Sequence, residues 1–173
     1  EFRLKIEIHC DSDSIIITDN AAGITISDMR SKVLGYYDNT FQSDQGLNKH
    51  GVGMKQSALW LGDQFTIDTF HIKAGTAIKI KFDIHEVINS FQTSNEVLLP
   101  INKGNRTSHG TEICISKISS KTTALFPPNK IKSLKIQLTK IYNQLLLQNR
   151  IVIAINGEEL KGEINNSILE SYN

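Results

Sequence analysis

Cysteine, proline and long apolar runs are scarce in this 173-residue sequence. The two cysteines, Cys10 and Cys114, lie in predicted strands and lack metal-ligand spacing, so we expect buried free thiols in a reducing compartment. That compartment is the cytoplasm or, for a eukaryotic source, the nucleus. No apolar run is long enough to span a membrane and no signal peptide is visible, so we predict no membrane partner.

The charge is nearly balanced, with 19 Lys and Arg against 18 Asp and Glu. This balance leaves room only for a local basic patch, so a nucleic-acid partner is neither favoured nor excluded, and we would expect one to bind through other domains. The five histidines do not cluster with carboxylates at metal spacing. The length and the 39% of hydrophobic residues predict one globular domain with a substantial core.

One stretch, residues 18–24, combines a strand end with an acidic residue and small side chains. Three isoleucines, Ile15 to Ile17, indicate a buried strand, and Asp19, two alanines and Gly23 follow. A strand that stops in small residues lets a flat ligand lie against the backbone. An ionised carboxylate only accepts hydrogen bonds, so Asp19 suits an amino donor such as that of adenine. The ordinary alternative is a turn-forming aspartate.

A second stretch opens a helix that we predict to end at Leu61, with Gly62 as its C-terminal cap. Glycines at a helix start offer free backbone N–H groups and the positive end of the helix dipole, which suit phosphate. Lys55 is either a phosphate ligand or a solvated side chain. The residues of this stretch are Gly51, Val52, Gly53, Met54 and Lys55. A base stretch followed by a phosphate stretch predicts a nucleotide site.

Residues 35–49 lie between these two stretches and have neither a helical nor a strand period. A loop of this length inside a compact domain is typically functional or disordered. We predict that it is the nucleotide lid, the alternative being an ordinary surface loop.

Three motifs in this order resemble those of the GHKL ATPases, the superfamily of gyrase B, heat-shock chaperones, histidine kinases, MutL and the MORC proteins. Asp19 to Gly23 is similar to the Asp-x-Gly-x-Gly box of that superfamily, and Lys49 to Ala58 resembles its second glycine box. Gly110 to Ile113 resembles the Gly-Thr strand whose threonine lies under the adenine. The second box is most similar to that of the MORC-like and chaperone-like branch.

The resemblance implies ATP and Mg²⁺ as cofactors. It implies that Asp19 holds the adenine amino group, assisted by Gly23 and, through water, by Thr111. It also implies that the phosphates meet backbone N–H groups of the second box. The implied cofactor-binding residues are Asp19, Gly23, Gly51, Val52, Gly53, Met54, Lys55 and Thr111.

The sequence departs from the family pattern in two places. Ala21 replaces the first glycine of the first box, which is tolerable only where the backbone does not need a positive φ. The family carries its catalytic glutamate and its Mg²⁺-binding asparagine on a helix before the first strand, and this sequence begins at that strand. We therefore expect a fragment without an assignable catalytic residue or metal ligand, which binds ATP but hydrolyses it negligibly.

Strand hairpins with few helices between them predict an α+β domain. The resemblance implies the Bergerat fold, a two-layer α/β sandwich with a mostly antiparallel sheet and helices on one face. Ser27 is the expected cap of a short helix, and Asn156-Gly157 is an expected hairpin turn. We expect residues 1–120 to form the ATP-binding core. We expect a helix and hairpin in residues 121–173 to complete that domain or to lead into the next one.

The resemblance implies an ATPase in which nucleotide-dependent lid closure produces a homodimer and drives a neighbouring domain. Two alternatives stay open. One is a nucleotide-binding interaction module that does not hydrolyse ATP, and the other is the catalytic domain of a protein-histidine kinase.

Overall fold

A computed structural model describes residues 2–33, 53–94, 99–118 and 127–164 of the chain. The predicted lid, residues 35–49, therefore lies outside the described residues. In chain order the elements are β1 Leu4–Cys10, β2 Ser14–Asp19, α1 Ile26–Asp28, a π-helical segment Met29–Val33, α2 Gly53–Leu61, β3 Gly62–Phe70, β4 Ile78–Asp83, α3 Ile84–Ser94, β5 Asn102–Lys103, β6 Gly110–Ile118, α4 Pro128–Leu147, β7 Ile151–Ile155 and β8 Glu158–Glu159.

The strands in these ranges form one eight-stranded sheet in the order β5-β4-β3-β6-β2-β1-β7-β8. Neighbouring strands are antiparallel except β1 and β7, which run parallel with Leu4 opposite Ile151 and Ile8 opposite Ile155. The predicted α+β class with a mostly antiparallel sheet is confirmed.

One face of the sheet is a continuous apolar layer. Residues directly opposite each other in neighbouring strands share a face, and one such row consists of isoleucines from six strands: Ile80, Ile67, Ile113, Ile17, Ile8 and Ile155. Met29, Ala58 of α2 and Ile131 of α4 pack into the core on this face. Each isoleucine that is fully buried contributes about 1.5–3 kcal/mol. The helical segments that supply core residues thus cover one face, as predicted.

The adjacent row on the opposite face is polar, because side chains alternate along a strand. It contains Lys79, Asp68, Glu112, Thr18 and Glu7. Among the described residues, no helix combines the length and the apolarity needed to cross a membrane.

Two predicted capping residues are wrong, although α2 ends at Leu61 as predicted. Thr25, not Ser27, caps α1, because its hydroxyl accepts a hydrogen bond from the backbone N–H of Asp28 at 3.0 Å. Gly62 does not have the positive φ of a helix cap, and β3 begins at it directly. It must be glycine because a β-carbon there would collide with the carbonyl oxygen of Ser116 on β6.

The predicted turn at Asn156-Gly157 is confirmed, with φ of 49° and 81° at its two residues. The Asn156 side chain also accepts a hydrogen bond from the backbone N–H of Cys10 at 2.8 Å and donates one to its carbonyl oxygen at 3.1 Å. The asparagine therefore both turns the chain and continues the hydrogen bonding of β1.

Asp83, at the end of β4, is a buried carboxylate that is only 3% exposed. It accepts hydrogen bonds from Lys117 at 2.6 Å, from the Gln64 side chain at 3.0 Å and from the backbone N–H of His85 at 3.0 Å. The hydrogen bond from Lys117 is the main reason that the pKa of Asp83 lies well below its ordinary value.

We expect the ionisation of Asp83 to make the stability of the fold depend on pH. Because its pKa is lower in the folded chain, its contribution to stability is present above the unfolded pKa of about 3.9 and is lost as the pH falls further. Asp83→Asn should therefore lower the melting temperature at pH 7, and the difference from wild type should shrink as the pH falls from 5 towards 2. Thermal denaturation across this range measures it. Asp63→Asn, at a half-exposed carboxylate, is the control, and a constant difference for Asp83→Asn would contradict the expectation.

Candidate functional site

The Asp19 carboxylate lies where the end of β2 meets the beginning of β6. Its Oδ1 accepts hydrogen bonds from the backbone N–H of Ala21 at 2.8 Å and from that of Thr111 at 3.3 Å. Within the described ranges its Oδ2 has no hydrogen-bond partner. The structure thus brings the predicted residues Asp19 and Thr111 together, with one carboxylate oxygen held and the other available.

A threonine pair lies beside this carboxylate, inside the sheet. Thr69 of β3 is 0% exposed, and its hydroxyl accepts the backbone N–H of Ile24 at 2.9 Å. It lies 3.1 Å from the carbonyl oxygen of Gly110 and 3.1 Å from the Thr111 hydroxyl. A carbonyl only accepts, so Thr69 donates to Gly110 and Thr111 donates to Thr69. The oxygen of Thr111 is left as an acceptor. Thr69 is not among the predicted site residues, because its only signal in the sequence is a hydroxyl on the apolar face of a strand.

Gly23 is a glycine for two independent reasons. Its φ of 77° is rare for residues with a side chain. A β-carbon would also stand 2.6 Å from the carbonyl carbon of Phe70 and 2.8 Å from the Cα of His71. The turn passes this closely because the backbone N–H of Ile72 donates to the carbonyl of Ala22 at 2.8 Å.

Ala21, the departure in the first box, is compatible with this backbone. Among the described residues, positive φ occurs outside glycine only at Lys117, Asn149 and Asn156. The condition for tolerating alanine at position 21 is therefore met.

Asn20, between Asp19 and Ala21, fixes the turn to β1. Its side chain accepts a hydrogen bond from the backbone N–H of Lys5 at 2.7 Å and donates one to the carbonyl of Arg3 at 3.1 Å. The first box is thereby attached to β1 on one side and to the end of β3 on the other.

The loop before β6 also contacts the first box. The Arg106 guanidinium donates to the carbonyl oxygen of Asp19 at 3.3 Å, and the His109 ring lies 2.9 Å from the carbonyl oxygen of Ala21. Neither Arg106 nor His109 is among the site residues that the resemblance implies. The contacts were not predictable because they join positions far apart in the sequence.

The predicted phosphate stretch is described only in part. Gly51 and Val52 lie outside the described residues, whereas Gly53, Met54 and Lys55 form the first turn of α2. Met54 is 36% exposed. Further along the helix, Ala58 is buried in the same core as Met29, which fixes α2 on the apolar face of the sheet.

Metal ligands are a separate question from nucleotide contacts. In the part of the chain that the structure describes, no three His, Cys, Asp or Glu side chains are grouped so that they could hold a metal ion. These residues therefore assign no ligand to Mg²⁺. The free Oδ2 of Asp19 and the acceptor oxygen of Thr111, by contrast, fit a ligand that carries an amino group and ordered water.

Comparison with known proteins gives two similarities. The family model described as "Histidine kinase-, DNA gyrase B-, and HSP90-like ATPase" matches residues 3–111. Among solved structures, the MutL ATPase domain of Aquifex aeolicus complexed with ADP is similar over 96% of this chain, with 14% sequence identity and a TM-score of 0.51. This chain covers 59% of the length of that one. No curated protein sequence matches. The family model spans more than half of the chain, and the solved structure has the same fold.

Proposed function

Because this chain belongs to the family of histidine kinase-, DNA gyrase B- and HSP90-like ATPases, we propose that it binds ATP at the end of β2, with Asp19 as the residue that recognises adenine. The observation that carries this proposal is the asymmetry of the Asp19 carboxylate. Two backbone N–H groups hold one of its oxygens, and the other has no partner within the described ranges.

The free oxygen of the Asp19 carboxylate determines which base the site prefers. A carboxylate oxygen accepts hydrogen bonds only, so it pairs with the exocyclic amino group of adenine and repels the oxo group at the same position of guanine. Thr111 adds a second acceptor at the same place, which suits a bridging water. The MutL domain of the same fold was solved with ADP, which supports an adenine nucleotide as the ligand.

We further propose that the phosphates bind at the N-terminus of α2. This helix begins at Gly53 in the described part of the chain, so its first N–H groups and its dipole favour an anion. Gly51, Val52, Met54 and Lys55 complete the proposed phosphate contacts. Residues 35–49 are the proposed lid, whose closure over ATP would form a homodimer and drive a neighbouring domain. The resemblance of the second box supports the MORC-like and chaperone-like branch.

Hydrogen exchange in the presence of ATP or GTP tests the site and the lid together. We expect ATP to slow exchange in residues 18–24 and 109–112, which surround Asp19, and in residues 35–49. The same concentration of GTP should slow none of them, because its oxo group faces the carboxylate. Protection around Asp19 without protection of 35–49 would remove the lid from the proposal. Equal protection by the two nucleotides would overturn the assignment of Asp19.

A further inference from the structure

We infer that Arg106 and His109 are positioning residues of the base site. Their side chains hold the backbone of Asp19 and Ala21 and thereby set the direction in which Asp19 presents its free oxygen. The inference rests on the proposed function, since it concerns the same adenine contact. It adds a segment of the chain, residues 104–109, that neither the motifs nor the family similarity assigns to the site.

The two side chains hold nearby carbonyl groups of the turn. Arg106 donates from Nη2 to the carbonyl of Asp19, and His109 contacts the carbonyl of Ala21 through Nδ1 at 2.9 Å. A carbonyl oxygen cannot donate, so Nδ1 of His109 carries the hydrogen. Neither side chain contacts the free oxygen of Asp19, so both act through the backbone that carries the carboxylate.

The segment that carries these side chains is anchored at its start. The backbone N–H of Gly104 donates to the carbonyl of Ala77 at 2.9 Å, and that of Asn105 donates to Oδ2 of Asp68 at 2.9 Å. Asp68 is 4% exposed and belongs to β3. A β-carbon on Gly104 would stand 2.9 Å from the Cβ of Ala77, so the loop can lie this close to the sheet only with glycine at this position.

The other end of the segment joins the carboxylate itself. Gly110 has a φ of 120°, and a β-carbon there would stand 3.0 Å from the carbonyl carbon of Asp19. The next residue, Thr111, donates its N–H to Oδ1 of Asp19. One continuous segment therefore contacts both the backbone and the carboxylate of Asp19, and its position sets the orientation of both.

The buried Nε atom of Arg106 makes it possible to distinguish a positioning role from a general contribution to stability. Nε of Arg106 is buried without a hydrogen-bond partner within the described ranges. Arg106→Ala would remove one long hydrogen bond and would also relieve this unsatisfied donor. The two effects on the free energy of unfolding oppose each other, so we expect a small change in melting temperature beside a clear change in base recognition.

The experiment measures the ratio of ATP to ITP affinity by calorimetry. ITP replaces the amino group of adenine with an oxo group, so the ratio reports how well Asp19 meets that amino group. Wild type should prefer ATP. Arg106→Ala and His109→Phe should each lower the preference about three- to tenfold, the effect of losing one hydrogen bond. Arg106→Lys and His109→Asn keep a donor near the same carbonyl and should restore part of it.

Matched controls come from the same loop and the same residue type. Thr107→Ala changes an exposed neighbour of Arg106, and His9→Phe changes an exposed histidine on β1, so both should keep the wild-type ratio.

If wild type itself does not prefer ATP to ITP, the proposed function fails at Asp19. If wild type prefers ATP and the Arg106 and His109 variants keep that preference, this inference alone is overturned. If these variants have a lower melting temperature but an unchanged ratio of ATP to ITP affinity, the inference is also overturned, because both residues would then contribute only to stability.

Discussion

Asp19→Asn is expected to lower ATP affinity about ten- to hundredfold, which corresponds to about 1.5–3 kcal/mol for a hydrogen bond to a charged group. The N–H groups of Ala21 and Thr111 determine how the new side chain lies, because each needs an acceptor. The amide oxygen must take the place of Oδ1, so the amide NH₂ takes the place of Oδ2. The variant then presents a donor to the donor of adenine.

The same geometry predicts the opposite change in affinity for ITP. The NH₂ of the introduced amide would face the oxo group of ITP, which accepts hydrogen bonds, so Asp19→Asn should bind ITP better than wild type does. Calorimetric titration with the two nucleotides measures both affinities. Asp13→Asn makes the same chemical change in the exposed turn after β1 and should leave both affinities unaltered. Equal ATP affinity in wild type and Asp19→Asn would exclude Asp19 as the adenine residue, and a parallel loss of ATP and ITP affinity would indicate general disruption.

Gly23→Ala is expected to lower the free energy of unfolding by roughly 2–5 kcal/mol, the sum of a left-handed backbone and an overpacked contact. The new β-carbon would meet the carbonyl group of Phe70 and the Cα of His71, and backbone atoms cannot move aside as a flexible side chain can. For a domain of this size, we expect the melting temperature to fall by about 4–20 °C. ATP binding should weaken as well, because the turn that carries Asp19 must shift.

Substitutions at two other glycines allow the backbone strain and the steric overlap to be measured separately. Gly157 has a φ of 81° but open space around it, so Gly157→Ala should show the backbone strain alone, about 1–2 kcal/mol. Gly75 has neither a positive φ nor a neighbour within 4 Å, and Gly75→Ala should be neutral or slightly stabilising. Urea denaturation of the three variants gives the order. A Gly23→Ala variant no less stable than Gly157→Ala would show that the turn can move away from β3.

Local patterns in the sequence predicted the elements that local physics determines. The isoleucine run and the Asn156-Gly157 turn are each governed by neighbouring residues, and both appear where they were expected. The family resemblance also implied that Asp19 and Thr111 contribute to one site, and in the structure a backbone hydrogen bond joins these two residues.

Contacts between segments that are distant in the sequence could not be predicted from local patterns. Thr69 appears in the sequence as one polar residue of a strand, and its role depends on Ile24 and Gly110 being beside it. Arg106 and His109 lie in a loop with no periodicity, and their partners are more than eighty positions earlier in the chain. The family resemblance does not supply them either, because they lie outside its motifs.

The parallel pairing of β1 with β7 has a consequence for how the chain is made. A ribosome releases β1 and β2 long before Ile151–Ile155 has been synthesised, so one edge of β1 stays without its partner while the nascent chain grows. An unpaired strand edge exposes backbone N–H and C=O groups that can pair with other strands, and pairing between sequence-distant strands is slow. The domain can therefore complete its sheet only after synthesis has passed β7. A nascent chain that pauses before that point has the edge of β1 available to a chaperone or to another copy of itself.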